Sequence, residues 1–140
     1  MKAKELRIGN YITRKSSTDT TCTVNWGIIK EFELGERNEY MPIPLTDKWL
    51  KKFRFKFDKT EGGWFLELTR NFHTETCLCV DIHTGINKNL LSLVFKDRKT
   101  KKLHHHNYQI DCEYVHQLQN LYFSLSEQDF VLAVTPKRKN

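Results

Sequence analysis

The segment YVHQLQNLYFSL, from Tyr114 to Leu125, decides how the C-terminal part of this chain folds. Large apolar side chains recur along it with helical spacing and fall within about 120° of one another around a helix. These residues are Tyr114, Val115, Leu118, Leu121, Tyr122 and Leu125. Burial of each contributes about 1.5–3 kcal/mol, so we expect an amphipathic helix, capped by Asp111, that anchors a sheet through this stripe.

The opposite side of this helix carries His116, Asn120 and Phe123, at positions i, i+4 and i+7. A large aromatic side chain such as Phe123 is rarely left in water, so a second element or a partner must cover it. We expect the cover to come from within the chain, from the following segment SEQDFVLAV (126–134). In the alternative, His116, Asn120 and Phe123 face a partner.

The centre of the chain alternates apolar and polar residues with the period of two that strands have. The segment FRFKFDKTEGGWFLEL (53–68) predicts a hairpin around its Gly-Gly pair. Three more strands are predicted over TCLCVDI (76–82), LLSLVF (90–95) and LHHHNYQI (103–110). Together these segments predict an antiparallel meander of about five strands.

The N-terminal part of the chain predicts a small β-module. ELRIGNYI (5–12) places a Gly-Asn turn between two short apolar segments, and CTVNWGIIKEFEL (22–34) predicts one or two strands. The stretch between them, TRKSSTDTT (13–21), is predicted to be a polar loop. After this module, IPLTDKWLKKF (43–53) predicts a short helix with Thr46 as its N-cap.

These elements define an α+β fold, predicted as one domain over residues 1–140. The β-module is expected at about 5–42, the short helix, meander and C-terminal helix at 43–134, and a basic tail at 135–140. No apolar stretch approaches the ~20 residues that a membrane span needs, and MKAKELRIGN at the N-terminus lacks the apolar core of a signal peptide. We therefore expect a cytoplasmic protein without membrane association, whose four cysteines are free thiols.

The segment HTETCLCVDIH (73–83) carries residues that bind zinc elsewhere, but its period argues against a metal site. Its apolar residues alternate with polar ones, which makes it a strand with one outward-facing polar row. That row contains His73, Glu75, Cys77, Cys79, Asp81 and His83. Neighbours in such a row lie about 6.5–7 Å apart, whereas thiolates on one zinc ion sit within about 4 Å of each other. We predict no bound metal here or at the histidine run LHHHNY (103–108), where adjacent residues point to opposite faces. Two of these histidines share a face and could reach one ion only with help from another strand.

Signals for catalysis are weak throughout the sequence. We find no nucleophile elbow and no glycine-rich phosphate loop, so we predict no enzymatic activity and no cofactor. A ribonuclease-like arrangement of two histidines and a lysine remains open, although nothing specific in the pattern favours it.

The strongest chemical signal is positive charge, since 23 Lys and Arg stand against 17 Asp and Glu, a formal net charge of +6. Two segments concentrate this charge, KWLKKFRFKF (48–57) and KDRKTKKLHHH (96–106), the second at a predicted hairpin tip. If both lie on one face, they form a cationic surface suited to phosphate groups. The residues predicted to bind are Lys52, Arg54, Lys56, Lys96, Arg98, Lys99, Lys101 and Lys102.

Two alternatives bear on this basic surface. Taken singly, each cluster is better explained as a solvated turn or an exposed strand face, and only the two together with the net charge favour an anion-binding surface. Phe53, Phe55 and Phe57 alternate with the cations, so we expect them in the core and not as platforms for base stacking. We find no motif that reads specific bases.

Three segments together carry a resemblance to a known family: ELRIGNYI (5–12), IPLTDKWLKKFRF (43–55) and YVHQLQNLYFSLSEQDF (114–130). They resemble small proteins encoded by phages and prophages of Bacteroidetes-type bacteria. The last motif is long and unusual, which makes it the most specific of the three. The chain departs from the family at Arg54, where the family has glycine, and in its basic loops.

The resemblance implies a class of function and no catalytic residues. Small basic phage proteins without catalytic signatures are often inhibitors of host defence, and the resembling family includes an anti-CRISPR protein directed at an RNA-guided RNase. A non-enzymatic inhibitor that binds a CRISPR effector nuclease, or interferes with its guide RNA, is therefore expected. The alternative is an accessory phage protein that binds single-stranded RNA or DNA in general.

Overall fold

The structure, a computed structural model, describes residues 1–35, 39–68, 76–84 and 89–129, and for residues 76–78 and 105–108 it describes the backbone alone. Within these ranges the chain divides into two units. The first comprises Met1–Leu45 with Asp111–Asp129, and the second comprises Thr46–Ile110. Helices combined with separate antiparallel sheets make this an α+β fold, which confirms the predicted class.

The first unit is built on a three-stranded sheet with the strand order β2-β1-β3. Its strands are β1 (Tyr11–Arg14), β2 (Ser17–Thr23) and β3 (Tyr40–Pro42). A short 3-10 helix (Ala3–Glu5) precedes the sheet, and the unit also contains helices α1 (Trp26–Leu34) and α3 (Val115–Ser126). Its buried core is formed by Leu6, Ile12, Val24 and Ile28.

Helix α1 shows that the one or two strands predicted over residues 22–34 are wrong from Trp26 onward, whereas Cys22 and Thr23 do lie in a strand, β2. The Asn25 side chain accepts a hydrogen bond from the Ile28 backbone N–H at 3.0 Å, and Gly35 ends the helix with a left-handed φ of 68°. With both ends satisfied, Ile28 turns into the core and Phe32 packs against it. The asparagine cap and the closing glycine were the local signals that distinguish this helix from a strand.

Strand β2 shows that the loop predicted over residues 13–21 is also wrong. Its side chains are almost all exposed, yet it pairs antiparallel with β1, with Ile12 opposite Cys22. The Thr13 hydroxyl, buried in the hairpin, donates a hydrogen bond to the Thr20 carbonyl at 2.9 Å. Backbone pairing with β1 forms this strand, and polar composition alone does not reveal such pairing.

Helix α3 forms where it was predicted, and Val115 and Leu118 of its apolar stripe are 0% and 1% exposed. Its N-cap is Tyr114, and the Gln117 side chain accepts a hydrogen bond from the Tyr114 backbone N–H at 3.1 Å. The cap predicted at Asp111 is therefore wrong.

Side-chain amides attach α3 to the first unit. Gln119 accepts a hydrogen bond from the Tyr11 backbone N–H at 2.7 Å and donates one to the Gly9 carbonyl at 3.2 Å. Asn10 donates to the Asn120 side-chain oxygen at 2.9 Å. The structure thus groups the C-terminal helix with the N-terminal β-module, whereas the sequence pattern grouped it with the meander.

The second unit contains the short helix α2 (Asp47–Lys52) and a five-stranded antiparallel sheet with the strand order β4-β5-β6-β7-β8. Its strands are β4 (Lys56–Asp58), β5 (Gly63–Glu67), β6 (Thr76–Thr84), β7 (Asn89–Asp97) and β8 (Leu103–Asp111). These strands are the predicted meander, and Thr46 is the predicted N-cap residue of α2, although its side chain makes no capping hydrogen bond.

The polar row predicted to face outward along β6 is buried at Cys79 and Asp81, whereas His83 is partly exposed. Cys79 is 3% exposed and Asp81 is 0% exposed. Cys79 packs with Val94 of the neighbouring strand and with Leu103 of β8. The row faces inward because the sheet curls, so that residues of both its edge strands, β4 and β8, reach one concave surface. His73 and Glu75 of this row lie outside the described residues.

Candidate functional site

The concave surface of the second unit lines an open cavity of about 1170 Å³. All five strands of the sheet contribute to its lining, together with the residues before β4 and β8. Lysine and arginine dominate the lining. They are Arg54, Lys56, Lys59, Lys96, Lys101 and Lys102.

Strand register explains why three of the lining side chains share one face. Lys56 lies opposite Phe65, and Glu67, two residues further along β5, lies opposite Cys79. Paired residues of antiparallel strands project to the same side of a sheet, as do residues two apart on one strand. Lys56, Phe65 and Glu67 therefore all face the buried Cys79 side of the sheet, which is the concave one.

Arg54 reaches the cavity from the end of helix α2. The helix closes with two backbone hydrogen bonds of 3.0 Å, from the Phe55 N–H to the Leu50 carbonyl and from the Arg54 N–H to the Lys51 carbonyl. This pattern is the Schellman motif, and it requires a left-handed residue at the position that Arg54 occupies, with φ of 67°. Phe55 and Leu50 occupy the two positions whose apolar contact often accompanies the motif, and they are 4% and 0% exposed.

The hairpin between β7 and β8 presents the second group of cations. The Asp97 carboxylate accepts hydrogen bonds from the backbone N–H groups of Lys99 and Thr100 at 2.8 and 2.7 Å, and the Asp97 N–H bonds to the Lys102 carbonyl at 2.9 Å. Lys101 completes the turn in the left-handed conformation, with φ of 60°. The hydrogen bonds from the turn backbone, that of Thr100 first, lower the pKa of Asp97, so this carboxylate stays charged and holds the turn.

The cavity is electropositive but not uniformly so. Its lysines and arginines outnumber its carboxylates, Asp58, Glu61 and Glu67, by three. Glu67 also contacts Arg98, at 3.5 Å between Oε1 and Nη2. Both side chains are partly exposed, so this ion pair contributes little to stability. The arrangement can attract a polyanion while its carboxylates limit how many phosphates bind closely.

The structure brings together most, but not all, of the eight residues predicted to form a cationic surface. Arg54, Lys56, Lys96, Lys101 and Lys102 line the cavity. The other three do not line it and are Arg98, at its margin beside Glu67, Lys99, exposed in the turn, and Lys52, whose ammonium lies 4.3 Å from the Trp49 ring centroid.

Sequence reasoning missed lining residues that lie outside the two basic segments. Lys59 lies in the β4–β5 turn, Phe65 on β5 and His104 at the start of β8. Lys59 had a usable signal, since a cation next to a predicted Gly-Gly turn lies at the same sheet edge as Lys56. Phe65 had none, because the inward curl of the sheet is not encoded in the local period.

The three phenylalanines expected in the core divide between two environments. Phe53 and Phe55 are 1% and 4% exposed, as predicted. Phe57 is 50% exposed and lies on the edge strand, where its ring packs edge-on against Trp64 at 5.2 Å between centroids. Its prediction as core is wrong, because an edge strand is covered on fewer sides than a central one.

The side of α3 that was predicted to be covered, either from within the chain or by a partner, contacts the N-terminal segment of the same chain. Its residues are His116, Asn120 and Phe123. His116 is 2% exposed, and the Asn120 side chain donates to the Glu5 carbonyl at 2.9 Å. The Arg7 guanidinium lies over the Phe123 ring, 3.6 Å from its centroid. The cover expected from within the chain is present, and it comes from residues before β1. Residues 130–134 of the segment predicted as cover lie outside the described residues.

A separate ionisable pair lies further along the concave side of the sheet. The buried Asp81 carboxylate and His83 Nε2 are 3.0 Å apart. Gly63, opposite them, leaves the space that the pair occupies, since a Cβ at this position would lie 2.5 Å from Asp81 Oδ1. In the described ranges no group of three or more His, Cys, Asp and Glu side chains is placed to hold a metal ion.

The chain matches no known family model, no curated protein and no solved structure. Of the helices in the described ranges, none is both long enough and apolar enough to cross a membrane. The candidate site therefore rests on its own geometry: a concave, mainly cationic surface on an antiparallel sheet.

Proposed function

We propose that this chain is a non-enzymatic binding protein that holds an anionic partner in the basic cavity of its second unit. In the full form of the proposal it is a phage- or prophage-encoded inhibitor that acts in the bacterial cytoplasm. Its target is a host-defence ribonucleoprotein, an RNA-guided CRISPR nuclease, whose guide RNA or acidic surface it blocks. The resemblance in ELRIGNYI, IPLTDKWLKKFRF and YVHQLQNLYFSLSEQDF supports the target class.

One observation supports the binding mode above all others. Cations that are distant in the chain, from Arg54 and Lys56 to Lys96, Lys101 and Lys102, converge on one concave surface. A concave surface focuses the field of its charges and brings several of them within reach of one stretch of phosphates. Dispersed surface lysines keep a protein soluble but do not make such a surface.

A charge-reversal experiment tests the proposal. The variant Lys96→Glu/Lys101→Glu/Lys102→Glu is expected to lose inhibition of an RNA-guided nuclease, because the cavity then repels the partner. The matched control reverses Lys4, Lys30 and Lys48, which are exposed and do not line the cavity. The control is expected to inhibit like the parent chain. Equal inhibition by both triple variants, with both shown to be folded by circular dichroism, would contradict the proposal.

A second function is a general single-stranded RNA or DNA binder, and one observation favours it. Phe65 is partly exposed on the concave face beside Lys56, and an aromatic ring among cations is the arrangement on which single-stranded bases stack. Salt separates the two functions. Direct binding of free RNA weakens steeply with salt, because each phosphate contact releases about one counterion. An inhibitor that recognises protein instead binds the nuclease and leaves free RNA unbound.

A further inference from the structure

The described chain contains non-glycine residues at three left-handed backbone positions: Arg54, Lys101 and Glu127, with φ of 67°, 60° and 56°. Side chains other than glycine reach this region only against steric resistance from the Cβ atom. Two of the three are cations, and both of these line the basic cavity. Backbone strain and the candidate site therefore coincide at two independent places in the second unit.

Glycine is the ordinary residue at both places. Arg54 closes helix α2 at the position of the Schellman motif where glycine is strongly preferred. Lys101 ends the tight turn between β7 and β8, where hairpin loops also favour glycine in the left-handed position. In neither case do the backbone hydrogen bonds require the side chain, so packing of the fold does not explain why a long cation is present.

The two residues also approach the cavity from opposite sides. Arg54 precedes β4 and Lys101 precedes β8, and these are the two edge strands of the five-stranded sheet. A ligand in the cavity therefore has a guanidinium at one edge and an ammonium at the other. This geometry fits a phosphodiester chain crossing the concave surface, since guanidinium binds two phosphate oxygens together and ammonium acts as a point charge.

We infer that Arg54 and Lys101 are the two principal phosphate-binding residues of the cavity, held at positions where glycine would make the fold more stable. The inference rests on the proposed function and identifies its ligand as the sugar–phosphate backbone of a single-stranded nucleic acid. It distinguishes these residues from the other lysines that line the cavity, none of which has a left-handed backbone. It also gives an unusual expectation, because one substitution should change stability and binding in opposite directions.

The test uses the full chain and the single variants Arg54→Gly and Lys101→Gly. Each is expected to raise the melting temperature by about 3–5 °C, because the left-handed strain is relieved. Each is also expected to weaken binding of a fluorescein-labelled twelve-nucleotide oligouridylate by about 10-fold, through loss of a charge-assisted contact. The slope of log K against log salt should fall by about 1 per variant.

Two matched controls separate strain from charge. Glu127→Gly relieves left-handed strain outside the cavity, so it should raise the melting temperature without weakening the binding of the oligouridylate. Lys48→Gln removes one exposed cation that does not line the cavity, so it should change neither quantity by much.

The outcomes distinguish this inference from the proposed function. Oligouridylate binding that is equally weakened by Lys48→Gln, or unaffected in both glycine variants, overturns the role of Arg54 and Lys101 while the cavity remains a candidate. A melting temperature that falls in both glycine variants overturns the strain argument. A parent chain that binds no oligouridylate at 50 mM salt overturns the nucleic-acid ligand, and the charge-reversal experiment with the nuclease then decides the proposed function separately.

Discussion

Arg7 and Phe123 form a cation–π pair in the first unit, with the guanidinium carbon 3.6 Å from the ring centroid. The guanidinium also contacts Asp129, at 2.7 Å between Nη2 and Oδ1. Arg7 therefore covers the side of helix α3 that the apolar stripe leaves open, and links the N-terminal segment to the end of the helix.

This contact predicts a stabilising role for Phe123. Phe123→Ala should lower the free energy of unfolding by about 2–3 kcal/mol, less than a fully buried phenylalanine because the ring is only partly buried. Arg7→Ala should lower it by about 1 kcal/mol. Urea unfolding of the single and double variants measures both. Strict additivity in the double variant would contradict the contact, since coupled residues deviate from additivity.

A side chain at Gly63 is predicted to destabilise the chain by steric clash, whereas the adjacent Gly62 has open space around it. A Cβ at Gly63 would meet Asp81 Oδ1 at 2.5 Å, and Asp81 is 0% exposed, so the carboxylate has little room to move. Gly63→Ala is expected to destabilise the chain by about 2–4 kcal/mol.

Gly62→Ala is the control for this prediction. Gly62 has φ of 69° and open space around it, so alanine there meets backbone strain alone and should lower stability by about 1 kcal/mol. Thermal unfolding of both variants gives the comparison. Equal losses would show that the Asp81 carboxylate does not fill the space at Gly63.

His116 predicts a loss of stability in mildly acidic solution. Burial of the ring lowers the pKa of His116, with the nearby N-terminus acting in the same direction and Glu5 opposing both. The unfolded chain therefore takes up this proton at a higher pH than the folded chain does. The contribution of His116 is fully present above pH ~6.5, and it is lost as the pH falls below that value toward the lowered pKa.

The variant His116→Phe isolates this contribution from the other histidines. Its neutral ring keeps the stacking on Tyr114, where the ring centroids are 5.8 Å apart in the parent chain, and removes the titrating group. Urea midpoints at pH 7.5 and 5.5 should differ less in the variant than in the parent chain. An identical pH dependence in both proteins would contradict the prediction. Glu5 does not contribute to this pH dependence. A hydrogen bond from the Lys2 backbone is the chief cause that lowers the pKa of Glu5 from 4.5, so Glu5 titrates below the range from pH 5.5 to 7.5.

Cys112 predicts selective protection of one thiol. Burial raises the pKa of Cys112 to about 12, so almost none of the reactive thiolate is present at pH 8. Iodoacetamide at this pH should modify the partly exposed Cys22 well before Cys112. Peptide mass spectrometry measures the modification of each cysteine. In 6 M guanidinium chloride the chain is unfolded, so the two cysteines should be modified at similar rates. Rapid modification of Cys112 in the folded chain would show that the structure around this side chain opens readily.

The sequence by itself determined the helices and strands that bury one side, because the spacing of their apolar residues reveals the buried side. The period of two in residues 53–68 and 76–82 specified strands β4, β5 and β6, and the helical stripe specified α3. Such patterns are decisive because alternating or helical spacing is what one-sided burial imposes on a chain. Charge placement along the chain also identified five of the cations that line the cavity.

The tertiary structure alone decided the rest, because it depends on contacts between distant residues. Polar β2 is a strand only through pairing with β1, and α3 belongs to the first unit through hydrogen bonds of Gln119 and Asn120 to its N-terminal residues. Curling of the five-stranded sheet turned Cys79 and Asp81 inward and brought Arg54 and Lys101 onto one surface from opposite edges. Local periodicity records that a side chain is covered, but register and curvature determine which side chains meet.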